Sequence, residues 1–83
     1  AEGTAKIGRM AVHRVMRGAG VGEQVLRSLA AVAAARGDHL LTLHAQRTAE
    51  AFYARLGFRP TGAPFEEAGI PHITMTSGLP LAD

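Results

Sequence analysis

The sequence predicts an α/β (α+β) chain with one mixed β-sheet and elements in the order β-α-β-α-β-β, from three observations. Val21, Val25, Leu29 and Val32 recur at spacings of four, four and three, with Leu26 and Ala33 beside them, which makes one face of a helix. LLTLHA, Leu40 to Ala45, is a short apolar run of the length of a buried strand. Pro71, Ile73 and Met75 alternate with His72, Thr74 and Thr76, the pattern of a strand with one apolar face.

Taken in order, Lys6 to Val12 (KIGRMAV) is short and fairly apolar and runs into polar His13 and Arg14, which predicts a first strand. The long helix follows a glycine-rich turn, is favoured by its alanines and Leu26, and ends at Gly37 behind Arg36. After the second strand, Thr48 is positioned to cap a second helix. There Ala49, Phe52, Tyr53 and Leu56 fall at i, i+3, i+4 and i+7 before Gly57 closes it. Phe58 to Thr61 reads as a short strand that Pro60 either keeps at an edge or cuts short. The tail GLPLAD is expected to be loose. A strand, a helix and a second strand of these lengths form a crossover, so the first two strands should be parallel.

Composition narrows the classes of function. Eighty-three residues make one domain at most, and a chain this short buries about 60 to 65% of the surface it exposes unfolded. There are no cysteines, which removes disulfides, thiolate nucleophiles and Cys-ligated zinc together and is compatible with a cytoplasmic, reducing setting. No apolar run approaches the roughly 18 residues of a membrane span, and Ala1 to Gly8 lacks the basic start and apolar stretch of a signal peptide. The net charge is +2, with eight arginines spread singly, so neither a nucleic acid nor a membrane is expected as a partner. His39 and His44 stand five apart, on opposite faces of the second strand, which rules out a metal shared between them.

The stretch RGAGVGEQVL, Arg17 to Leu26, places glycines at 18, 20 and 22 where a helix begins. Glycine costs about 1 kcal/mol relative to alanine inside a helix, so a cluster of them points to a close approach to the backbone. The unpaired N–H groups of a first helical turn and the positive end of the dipole converge there and suit a phosphate, to which Arg17 can add charge-assisted bonds. The same glycines also serve a tight turn with no ligand. A Walker loop is excluded, because Glu23-Gln24 stands where Lys and Ser or Thr are needed. A dinucleotide fingerprint finds Glu23 in place of its third glycine, and Asp38 precedes the second strand, whereas a ribose-binding acid should follow it.

RxxGxG is the remaining pattern, carried by Arg17, Gly20 and Gly22. With it the chain resembles the GNAT superfamily of acetyl-CoA-dependent N-acetyltransferases. AEAFYARLGF, Ala49 to Phe58, is similar to that superfamily's second helix with its FYxxxGF ending, and FEEAGIPHITM, Phe65 to Met75, resembles its ElaA-like branch. The resemblance implies the C-terminal half of an acyl-CoA N-acyltransferase fold. Residues 1–83 would form a single partial domain without the family's N-terminal strands and helices. The first strand would then be an open edge, prone to self-association.

The implied activity is transfer of an acetyl group from acetyl-CoA to a primary amine by direct attack, with no metal and with the acceptor unidentified. The alternative is a non-catalytic module that binds CoA or completes a partner's sheet. The resemblance implies that Arg17, Gly18, Ala19, Gly20, Val21 and Gly22 hold the pyrophosphate. It implies that Met10, Ala11 and Val12 pair with pantetheine as an added strand would, and that Gln46 stands near the cosubstrate or caps its loop. Tyr53, the only tyrosine, would protonate the departing thiolate or, in the plainer reading, pack as a buried ring. Glu67 and His72 bracket the Gly69 to Pro71 turn and are the candidates for the base that takes the amine's proton. Arg47 and Arg55 either approach CoA phosphates or sit on solvated helix faces.

Overall fold

Alanine and leucine favour helix, and Gly22–Ala35 forms the longest element, α2, which buries Leu26, Ala30 and Ala33 along one stripe. The computed structural model describes residues 2–17 and 20–81. Around α2 the chain runs β1 (Thr4–Lys6), α1 (Arg9–Arg17), α2, β2 (Leu40–Gln46), a 3-10 turn (Arg47–Ala49), α3 (Glu50–Arg55), β3 (Arg59–Glu67) and β4 (Ile70–Gly78). The mixed sheet and the predicted order of elements hold, with one helix, α1, added after the first strand.

The four strands lie in the order β1-β2-β4-β3. β1 pairs parallel with β2, as a crossover connection requires, and β2–β4 and β4–β3 are antiparallel. Opposed residues share a face, so the register sorts the sheet. Leu41, Leu43 and Ala45 stand opposite Ser77, Met75 and Ile73 on the side that joins the core with Leu26, Tyr53, Leu56 and Phe58. Thr42, His44 and Gln46 stand opposite Thr76, Thr74 and His72 on the other. Burial of Leu26, Leu41 and Leu43 stabilises the fold by about 1.5 to 3 kcal/mol each, and all three are completely enclosed.

β3 lies at the edge where Pro60 placed it, but it is longer than expected. Between the pairs Thr61–Thr74 and Phe65–His72, three residues of β3 oppose Ile73 alone. Two extra residues preserve the alternation, whereas one would reverse it, so Phe65 and Glu67 stay on the face of His72. The hairpin then turns through Ala68 and Gly69, both at positive φ (55° and 75°), the geometry of a two-residue type I′ turn.

The strand expected over Lys6 to Val12 is corrected. Strand pairing stops at Lys6, with one further bond from the Ile7 N–H to the Thr42 carbonyl at 2.9 Å, and helix begins at Arg9. Ala11, Val12 and Val15 fall at i, i+1 and i+4, and Val15 is buried while Ala11 and Val12 pack against the core. That face can be buried only if the segment is helical. Thr48 lies inside the 3-10 turn, and α3 has no side-chain cap. The tail is held as far as Leu81: the Leu79 N–H donates to the His39 carbonyl at 2.8 Å, and Leu79 and Leu81 pack against the core, while Ala82 and Asp83 lie outside the described residues. His39 precedes β2, outside the strand.

Candidate active site

A cleft of about 820 Å³ lies between α1 and the polar ends of β2 and β4 with the β3–β4 turn. α1 lines it with Arg9, Met10, Val12, His13, Arg14 and Arg17; the sheet contributes His44, Gln46, Glu67 and His72. Glu67 and His72, the two candidate bases, are thus brought together, with Gln46 beside them in register with His72.

Glu67 is the hub. Its Oε1 accepts a hydrogen bond from His44 Nδ1 at 3.0 Å, and its Oε2 lies 3.8 Å from His72 Nε2 and 3.5 Å from the exposed Arg9 Nε. The bond from His44 holds the carboxyl below its ordinary value of 4.5; the charges of His44, His72 and Arg9 add to this, and desolvation opposes it. An ionised carboxylate only accepts, so His44 Nδ1 carries the proton of that bond. His72 Nδ1 donates to the Ile70 carbonyl at 2.7 Å, which leaves its Nε2 toward Glu67. Phe65 meets the edge of the His44 ring at 4.9 Å and stacks on His72 at 6.0 Å, so both imidazoles are oriented.

His44 is the residue that sequence reasoning missed. It stands 23 positions from Glu67, and the signal available was its parity with Gln46 on one strand face. Among the described residues no group of three or more His, Cys, Asp or Glu is arranged to hold a metal ion, and no helix is long and apolar enough to cross a membrane.

At the other predicted site, Gly18 and Ala19 lie outside the described residues. Gly20 and Val21 are exposed just before α2, Gly20 has φ 81°, and Val21 as N-cap contributes no side-chain hydrogen bond. The first N–H groups of α2 therefore have no side-chain cap, which fits an anion. Gly22 also has a packing role. A Cβ there would stand 2.2 Å from the Val15 carbonyl oxygen, so this glycine lets α1 and α2 pack backbone to backbone. A Gly22→Ala substitution would therefore disturb the fold itself as well as the turn.

Met10 and Val12 line the cleft from α1, and Ala11 packs inward. Their segment is helical, with the Val12 N–H bonded to the Gly8 carbonyl at 3.0 Å, so they do not present a strand edge for pantetheine. Tyr53 lies in the core between Phe52 and Phe58, 0% exposed, and its hydroxyl has no hydrogen-bond partner among the described residues. Burial pushes the phenol up to about 12. Arg47 is paired with Glu50, and the Arg55 guanidinium lies over the Phe52 ring at 5.8 Å.

A parallel strand pair, a long helix that starts without a side-chain cap behind a glycine turn, and a hairpin that closes a carboxylate–imidazole cleft together define an acyl-CoA N-acyltransferase fold. The chain belongs to the acetyltransferase (GNAT) domain family, whose pattern matches residues 1–79. It is 39% identical to ElaA of Escherichia coli over 70 residues, covering 83% of this chain and 46% of that protein. The crystal structure of ElaA superposes with a TM-score of 0.64 over 74% of the chain and 41% of its own length. A Lactobacillus plantarum protein assigned as an N-acetyltransferase is 32% identical, with a TM-score of 0.79 over 95% of the chain and 54% of its own length. An acyl-CoA N-acyltransferase from Pseudomonas aeruginosa is 37% identical, with a TM-score of 0.63 over 74% of the chain and 42% of its own length. The chain spans about half the length of the curated relatives it matches.

Proposed function

We propose that this chain is the cosubstrate-holding part of an N-acetyltransferase that moves an acetyl group from acetyl-CoA to a primary amine by direct attack. The observation that carries the reading is one cleft lined both by an ionised carboxylate bonded to imidazole and by Arg17, which in sequence precedes the exposed Gly20 and Val21 and the start of α2 without a side-chain cap. Acetyl-CoA, when bound, supplies the acyl group as an activated thioester. Arg17 and the backbone of Gly18, Ala19, Gly20, Val21 and Gly22 would hold its diphosphate, through charge and N–H donors at a helix start. Gln46 and the side chains of Met10 and Val12 would border the pantetheine. Pairing with the backbone of Met10, Ala11 and Val12 would require the first turn of α1 to open.

The group formed by Glu67, His44 and His72 would take the proton that the amine sheds. Tyr53 is proposed as the donor to the leaving sulfur. Its raised pKa keeps it protonated at neutral pH, and its hydroxyl has no hydrogen-bond partner among the described residues, which leaves its proton available to an acceptor. A non-catalytic module that binds CoA or completes a sheet is favoured by a different observation. β1 is an edge strand of only three residues, open to a further strand or a second copy.

Calorimetric titration with acetyl-CoA, followed by thiol release with a panel of primary amines, tests the reading. Binding that weakens in Arg17→Ala, together with amine-dependent thiol, is the expected result. Binding without thiol release selects the module, and no binding overturns both.

A further inference from the structure

Besides His13 on α1, three groups clustered on the sheet side of the cleft, Glu67, His72 and His44, are chemically able to accept a proton from an amine, and their surroundings separate them. Glu67 has its carboxyl bonded to one imidazole and close to a second and to Arg9, so its ionised form is stabilised and a proton on it is disfavoured. His72 spends Nδ1–H on the Ile70 carbonyl, and its free Nε2 faces Glu67 Oε2, with a side chain only 9% exposed. His44 spends Nδ1–H on Glu67, which leaves Nε2 as a bare lone pair on a side chain 31% exposed in the wall of the cleft.

We propose that His44, through Nε2, takes the proton from the attacking amine, and that Glu67 is the positioning residue that sets the tautomer making this nitrogen available. The inference rests on the acyl-transfer reading above. The amine lone pair forms the C–N bond to the acetyl carbon and the amine's proton goes to His44 Nε2. The C–S bond breaks with its electron pair on sulfur, the Tyr53 hydroxyl gives its proton to complete the thiol, the phenolate regains one from solvent, and the imidazolium returns one proton to solvent. Glu67 on β3 stabilises that imidazolium, as an orienting carboxylate does. The other charged or titratable groups that line the cleft with the pair are His72 on β4, Lys6 on β1, and Arg9, His13, Arg14 and Arg17 on α1, of which His72 and Arg9 act directly on Glu67.

The first test needs no turnover. Nitrogen-resolved NMR of the imidazole rings at neutral pH should find His44 protonated at Nδ1 in the wild-type chain and a mixture of tautomers in Glu67→Gln. An Nε2-protonated His44, or a tautomer unchanged in Glu67→Gln, overturns the proposal. The second test is kinetic. His44→Gln should lower amine-dependent thiol release by about 10² to 10⁴-fold, leave acetyl-CoA affinity unchanged and abolish the rise in rate with pH, whereas His72→Gln keeps that rise. Retention of the rise in His44→Gln also overturns the proposal. Absence of acetyl-CoA binding to the wild-type chain would instead defeat the acyl-transfer reading, so the two failures are told apart.

Discussion

Replacing Tyr53 by phenylalanine removes one oxygen from the middle of the core, and its consequences can be worked out at two pH values. At neutral pH the hydroxyl is buried with no hydrogen-bond partner among the described residues, a state that costs about 1 to 3 kcal/mol. Tyr53→Phe should therefore be at least as stable as the wild type. At high pH a second effect enters. Desolvation raises the phenol from 10.0 to about 12, so the folded protein keeps a proton that the unfolded chain has released. Below pH 10 both states are protonated and the difference between wild type and variant is constant. Between pH 10 and about 12 the wild type loses stability relative to the variant, and two pKa units correspond to about 2.7 kcal/mol. Urea unfolding of both proteins across this range gives the difference directly, and other titrating groups cancel. Because the chain has one tyrosine and no tryptophan, the phenolate absorption of the folded protein reports the same titration independently. A folded-state titration at the ordinary value, or a loss of more than about 1 kcal/mol in the variant at neutral pH, would mean that the hydroxyl is solvated or bonded and would refute the reasoning. If stability is preserved and thiol release still falls by about 10² to 10⁴-fold, the phenol is acting as the proton donor.

Gly22→Ala should destabilise the fold, because the contact with the Val15 carbonyl is with backbone and overpacking of about 1 to 3 kcal/mol exceeds the roughly 1 kcal/mol of helix propensity gained. A stabilised variant on urea unfolding would show that α1 does not rest on α2 as described. Ala68→Asn should stabilise by about 0.5 to 1 kcal/mol, since Ala68 holds φ 55° in the β3–β4 turn and asparagine tolerates that region better; a thermal melt decides the sign. Glu67 is depressed in the fold, so its contribution is present above the ordinary 4.5 and is lost as pH falls through the lower folded value. Acid titration of wild type against Glu67→Gln should show the stability difference shrinking only in that window.

Much of the fold was legible because it is written in local periodicity. Four apolar residues from Val21 to Val32 face one side of a helix whatever surrounds them, and the alternation from Pro71 to Thr76 admits only a strand with two unlike faces. The motif around Arg17 to Gly22 and the FYARLGF and GIPH phrases identified the family for the same reason, since each is a run of neighbouring residues. What lay beyond the sequence was decided by packing. A short apolar run such as Lys6 to Val12 is compatible with strand or helix, and burial of Val15 against the core selects helix. Gly22 stands at a phosphate-type turn in sequence, yet only the approach of the Val15 carbonyl explains the need for a missing side chain there. The sequence by itself determined the long helix α2, the helix α3, the strands β2 and β4 and the family, and it named two of the three sheet-side groups in the cleft, Glu67 and His72. The tertiary structure decided that His44, 23 residues from Glu67, is its hydrogen-bond partner. Strand register and a two-residue bulge bring that pair together, and these depend on which strands lie side by side.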